Sequence, residues 1–97
     1  MGRANKKVDS KEDENSIPFL VKLSILNASG RGGDPKDLED EAYLSDFLTQ
    51  PEHFVQLRAF LLAIIKESNP SGSIHINDIK DCTFVKEVIE LVTQNIG

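Results

Sequence analysis

Pro51 to Glu67, read as PEHFVQLRAFLLAIIKE, carries the densest apolar periodicity in the chain. Phe54, Leu57, Leu61, Ile64 and Ile65 recur at spacings of three and four, with Val55 and Leu62 beside them. That is the pattern of a helix that buries one face against other elements. Pro51 suits a first helical turn, where an N–H would lack a partner anyway, and Thr49 or Gln50 can cap it. Gln56, Ala59, Ala63 and Lys66 fall on the wet side, where the two alanines leave room for another element to approach closely. The longest unbroken apolar run, Ala59–Ile65, is far short of the about 20 residues that span a bilayer. The segment is therefore expected to be the central helix of a globular domain.

Working outward, Pro70 and Gly72 break the helix, and Ser73–Ile76 alternates polar with apolar, so a short extended contact is expected there. Asn77 or Asp78 can cap a short turn, and Asp81 or Thr83 a final helix over Phe84–Ile96. Its apolar side is Phe84, Val85, Val88, Ile89, Leu91, Val92 and Ile96; Lys86, Glu87, Glu90 and Gln94 face water. On the other side of the central helix, Asp34-Pro35 pairs a cap with a first-turn proline, and acids at Asp37–Glu41 suit a positive helix end. A helix over Pro35–Thr49 is expected, with Leu38, Tyr43, Leu44, Phe47 and Leu48 as its apolar face. Gly30, Gly32 and Gly33 separate it from Ile17–Ala28. There Phe19, Val21, Leu23 and Ile25 alternate as in a strand, while Phe19, Leu20, Leu23 and Leu26 share one helical face. Ser16 as a cap and Pro18 in the first turn favour the helix. The expected fold is thus all-α: a four-helix domain over residues 17–97, a flexible tail over 1–16, and an extended segment near Ser73–Ile76.

Ninety-seven residues with 39% hydrophobic and 28% charged content make one ordinary globular domain with no internal repeat. The net charge is −5 and is concentrated in Asp34–Asp46, where Asp34, Asp37, Glu39, Asp40, Glu41 and Asp46 face only Lys36. In Met1–Ser16 the bases Arg3, Lys6, Lys7 and Lys11 balance Asp9, Glu12, Asp13 and Glu14, and Ser10 is placed as an acidophilic kinase site would require. An acidic surface repels phosphate backbones and attracts basic proteins. The single cysteine, Cys82, excludes an internal disulfide and a cysteine-rich metal site and fits a reducing compartment. No apolar leader opens the chain, and Lys6 stands where a myristoylation signal wants Ser or Thr. An intracellular protein, cytoplasmic or nuclear and not membrane-bound, is expected.

Glu67 to Asp78, read as ESNPSGSIHIND, places Gly72 sixth and Ile74 eighth between two helices. In layout this resembles the calcium loop of an EF-hand, which implies oxygen ligands at positions one, three, five, seven and twelve. Those positions hold Glu67, Asn69, Ser71, Ser73 and Asp78, offering two carboxylates and no final Glu, so no metal is expected. Ile17-Pro-Phe-Leu-Val-Lys-Leu23 resembles the opening of heat-shock-factor-type DNA-binding domains, which implies a winged helix. The final helix, however, carries Lys86 beside Glu87 and Glu90, a poor match to phosphates, so nucleic acid is not the expected partner. Cys82, His53 and His75 show no nucleophile–base spacing, and Gly30-Arg31-Gly32-Gly33 lacks the Lys-Ser/Thr of a phosphate loop. The expectation is a non-enzymatic protein-interaction module without a cofactor, an adaptor, complex subunit or inhibitor. Asp37, Asp40, Glu41, Tyr43 and Phe47 would form an acidic helix facing a basic partner protein.

Overall fold

A computed structural model describes residues 16–96. The expected tail, Ser10 included, lies outside the described residues except for Ser16, which belongs to the domain as a helix cap. The helices are α1 (Ile17–Ser29), α2 (Pro51–Ser68), α3 (Ile76–Lys80) and α4 (Val85–Ile96), with 3₁₀ turns at Pro35–Asp37 and Leu44–Asp46 between α1 and α2. The all-α expectation holds. Among the described residues there is no strand, only an isolated antiparallel bridge between Tyr43 and Phe84.

Local sequence signals account for both ends of α1. The Ser16 hydroxyl accepts the Phe19 N–H at 3.3 Å, and Pro18 sits in the first turn. Gly30 closes the helix at φ 73°, its N–H reaching the carbonyls of Asn27 and Leu26, a left-handed end that glycine adopts without strain. At the start of α2 the His53 Nδ1 accepts from the Thr49 and Gln50 amides at 3.1 and 3.3 Å, satisfying donors that the helix itself leaves open.

The core is a three-helix contact. Leu57, Leu61 and Ile65 of α2 are fully buried against Val21 and Ile25 of α1 and Val85, Val88 and Val92 of α4. Removing one such side chain, for instance by Leu61→Ala, costs about 2–5 kcal/mol, which is a large part of the stability of so small a domain. The buried residues of α1 are Val21, Ser24, Ile25, Leu26 and Ala28; of the expected face Leu26 is buried, whereas Phe19, Leu20 and Leu23 are only half-buried. Ser24 is tolerated there because its hydroxyl donates to the Leu20 carbonyl at 2.8 Å.

One element of the expected fold is corrected. The helix over Pro35–Thr49 does not form. Its residues instead make the two 3₁₀ turns and an extended connection that buries Leu38, Leu44 and Leu48 while leaving Tyr43 exposed. The fourth helix is α3, whose single turn is capped at His75 and buries Ile79 completely. Residues 73–75 lie outside any helix and Ile76 already opens α3; Ile74 is buried, and its carbonyl accepts from Arg58 Nε at 2.8 Å rather than from a strand partner. Val55, read beside the apolar stripe of α2, is exposed.

The loop after α2 is tied to the far end of α4, where the Asn69 side chain donates to the Asn95 carbonyl at 2.8 Å. Gly72 sits in that junction with no room for a side chain. A Cβ would stand 2.4 Å from Ile65 Cγ2 and 3.0 Å from the Asn95 carbonyl oxygen. Gly72→Ala is expected to lower unfolding stability by about 1–3 kcal/mol, read as a reduced urea midpoint with an unchanged slope. A midpoint equal to wild type would show that this junction is not packed as described.

Candidate functional site

The acidic segment is shaped by the start of α4. The first amides of a helix have no partner within it. Here Val85 N–H donates to the Ala42 carbonyl at 3.0 Å and Lys86 N–H to the Asp40 carbonyl at 2.9 Å, while Leu44 N–H donates back to the Thr83 carbonyl at 2.9 Å. Residues 40–44 therefore run antiparallel to residues 83–86: a turn closed by the Ala42 N–H on the Glu39 carbonyl leads into an extended Tyr43 and then into the 3₁₀ turn that opens at Leu44. Extended backbone alternates its side chains, so Leu44 enters the core and Tyr43 points away from it. A carboxylate completes the cap: Glu87 Oε1 accepts from Phe84 N–H at 3.1 Å and from Thr83 N–H. These two amides, Thr83 foremost, hold the Glu87 carboxyl below its ordinary value.

The backbone bridge carries a ring contact. Tyr43 and Phe84 have centroids 5.0 Å apart with planes tilted by 37°, and Tyr43 remains 53% exposed. Lys86 Nζ stands 5.8 Å from the Phe84 centroid and 3.8 Å from Glu41 Oε2. Asp40 Oδ1 meets Lys22 Nζ of α1 at 2.8 Å, with the lysine side chain largely buried. Asp37 and Glu39 are exposed and make no ion pair among the described residues.

The five residues expected to form one helical face fall into two groups. Asp40, Glu41 and Tyr43 gather where the extended connection meets α1 and α4. Asp37 and Phe47 line a separate cleft of about 220 Å³ together with Leu26, Gly32, Gly33, Asp34 and Leu38. Arg31 lies over the Phe47 ring at 5.0 Å and donates to the Asp46 carbonyl, so Phe47 is half-covered rather than presented. Of the two aromatic residues expected in the site, Tyr43 is exposed and Phe47 is half-buried.

The residues considered for other chemistry are engaged in structure. Cys82 is pushed up to about 11 by burial and then by the carboxylates of Glu87, Asp81, Asp78 and Glu90, which leaves little thiolate at neutral pH. His53 caps α2, and His75 N–H donates to Asp78 Oδ2 at 3.1 Å at the start of α3. In the EF-hand-like stretch, Asn69 is tied to Asn95, Ile74 is in the core and Asp78 caps α3. No group of three or more His, Cys, Asp or Glu side chains among the described residues is arranged to hold a metal. The winged-helix likeness is not met, since the described residues contain no strand from which a wing could be built. No helix among them is long and apolar enough to cross a membrane.

Phe84, Lys86 and Lys22 belong to the Tyr43 neighbourhood and were not singled out for it from the sequence. Glu87, three residues after Phe84, does mark the start of α4, but nothing local tells that residues 40–44 provide its remaining acceptors. The lowered Glu87 carboxyl gives a pH signature. Stability from this cap is fully present above the ordinary carboxyl value of 4.5 and is lost as pH falls through the lower folded value. Wild type is therefore expected to lose stability more steeply than Glu87→Gln below that pH in parallel urea melts, because glutamine still accepts but does not titrate. Identical pH profiles would remove Glu87 from the cap. Comparison with protein-family models, with curated proteins and with solved structures finds no match for this chain.

Proposed function

We propose that this domain is a non-enzymatic protein-interaction module whose acidic connection receives a basic partner, with Tyr43 as the anchor. The observation that carries the reading is the exposure of Tyr43 at 53% on backbone that is hydrogen-bonded at both of its neighbours. An aromatic side chain held on rigid backbone loses little freedom on binding, and such anchors dominate protein interfaces. Glu39 and Glu41 precede Tyr43 in sequence with negative charge, and Asp37 adds its charge from the separate cleft. The Glu41–Lys86 contact is exposed and at 3.8 Å is worth about 0–1 kcal/mol, so an incoming cation can replace it. Asp40, bonded to the largely buried Lys22, is committed to the fold and contributes only its field. An arginine of the partner would meet both a carboxylate and the face of the Tyr43 ring.

Affinity capture from a native lysate with the full chain tests this reading. Tyr43→Ala and Asp37→Lys/Glu39→Lys alter exposed side chains and are expected to keep wild-type circular dichroism. A stoichiometric partner with a basic surface should be retained by wild type and reduced at least about tenfold by each variant. A partner retained equally by all three proteins, or no partner at all, would contradict the reading.

A further inference from the structure

The outward side of α2 is unusually poor in charge. Three large hydrophobic side chains are exposed among the described residues, and two of them, Val55 at 58% and Phe60 at 39%, are on this helix. With about 100° between successive residues, Glu52, Val55, Gln56, Ala59, Ala63 and Lys66 all point away from the buried line of Leu57, Leu61 and Ile65. Each of those six is exposed, and Phe60 and Leu62 flank them. Between Glu52 and Lys66 the helix has one charged residue, Arg58, which lies to the side and donates to the Ile74 carbonyl. Three of the six, Val55, Ala59 and Ala63, are apolar and lie together at the middle of a face whose charges are at its two ends.

Positions on this face are spaced symmetrically about Ala59, with Gln56 mirrored by Leu62 at its edge. Glu52 precedes it by seven residues and Lys66 follows it by seven; Val55 precedes by four and Ala63 follows by four. Neither Glu52 nor Lys66 has an ion-pair partner among the described residues. An antiparallel second copy, related by a two-fold axis at Ala59, would bring Glu52 to Lys66 of the partner subunit at both ends, about 10 Å from the axis. Val55 would lie over Ala63 of the partner subunit, and the two Ala59 residues would let the backbones approach closely. A parallel pair would instead set like charges against each other. The chain segment ahead of Ser16 offers only Val8 as a branched aliphatic residue, too little to cover the face itself.

We propose that the outward face of α2 is a homodimer interface, with two copies packed antiparallel about Ala59. The occupant is a second copy because antiparallel pairing of this face with itself sets Glu52 against Lys66 of the partner subunit at both ends. A single helix pair is a small interface, so the dimer is weak and its population depends on concentration.

Sedimentation equilibrium of the full chain from about 5 µM to about 1 mM reads this directly. The mass should rise from monomer towards dimer. Ala59→Arg should stay monomeric with an unchanged helical spectrum, Glu52→Lys should weaken association about tenfold, and Glu52→Lys/Lys66→Glu should recover it. Disulfide trapping in a Cys82→Ser background fixes the direction. Ala59→Cys should cross-link to itself, whereas Val55→Cys should do so only when Ala63→Cys is also present. A monomer at every concentration, a dimer indifferent to Ala59→Arg, or self-cross-linking by Val55→Cys alone would overturn the proposal.

Discussion

The amides that open α4 need acceptors, and meeting that need decides the shape of everything between α1 and α2. A helix over residues 35–49 could not have met it, because the carbonyls inside a helix already accept from amides four residues on. An irregular connection leaves carbonyls free, and those of Asp40 and Ala42 accept from Lys86 and Val85 at 2.9 and 3.0 Å. The same conformation places Leu38, Leu44 and Leu48 in the core, so the apolar burial that a helix promised is obtained without one. Satisfying a buried donor is worth about 1–3 kcal/mol, well above the few tenths by which helix propensities differ between ordinary residues.

This explains which parts of the fold were legible in the sequence. For α2 and α4 the apolar periodicity alone marks a helix, whereas in α1 the periodicity also allowed a strand and the Ser16 cap, Pro18 and Gly30 favoured the helix that forms. Gly30 ends α1 as expected, and Pro51 opens α2. The acidic segment had equally good local signals, since Asp34 does cap a turn and Pro35 does begin one, but the turn is three residues of 3₁₀ and stops. What stops it is a partner some forty residues away, at Val85 and Lys86, and no local pattern encodes that pairing. α3 shows the converse: five residues with weak periodicity become helical because Ile79 has a buried place to fill and Asp78 caps the turn.

The candidate site was legible by residue type and not by geometry. Composition and charge point to Tyr43 and the acids, but the helical face expected to carry them does not form. Asp40 and Glu41 have partners in Lys22 and Lys86, while Phe47 is covered by Arg31. What remains is a single exposed ring fixed by the bridge to Phe84, with unpaired carboxylates at Asp37 and Glu39. The proposed homodimer face on α2 shares no residue with this surface, so two copies would present two acidic connections, an arrangement that raises avidity for a repeated basic partner.

The central claim is that residues 40–44 are fixed by the opening of α4, and amide hydrogen exchange followed by NMR tests it most directly. Leu44, Val85 and Lys86 donate to the opposite segment, and their exchange should be slowed to a level approaching that of Leu61 and Ile65 in α2. The amides of Gly32 and Gly33, in the exposed link after α1, supply the fast reference. Protection at all three positions would support the bridge as the organising contact. Exchange at Val85 and Lys86 as fast as at those glycines would contradict it, and with it the fixed placement of Tyr43.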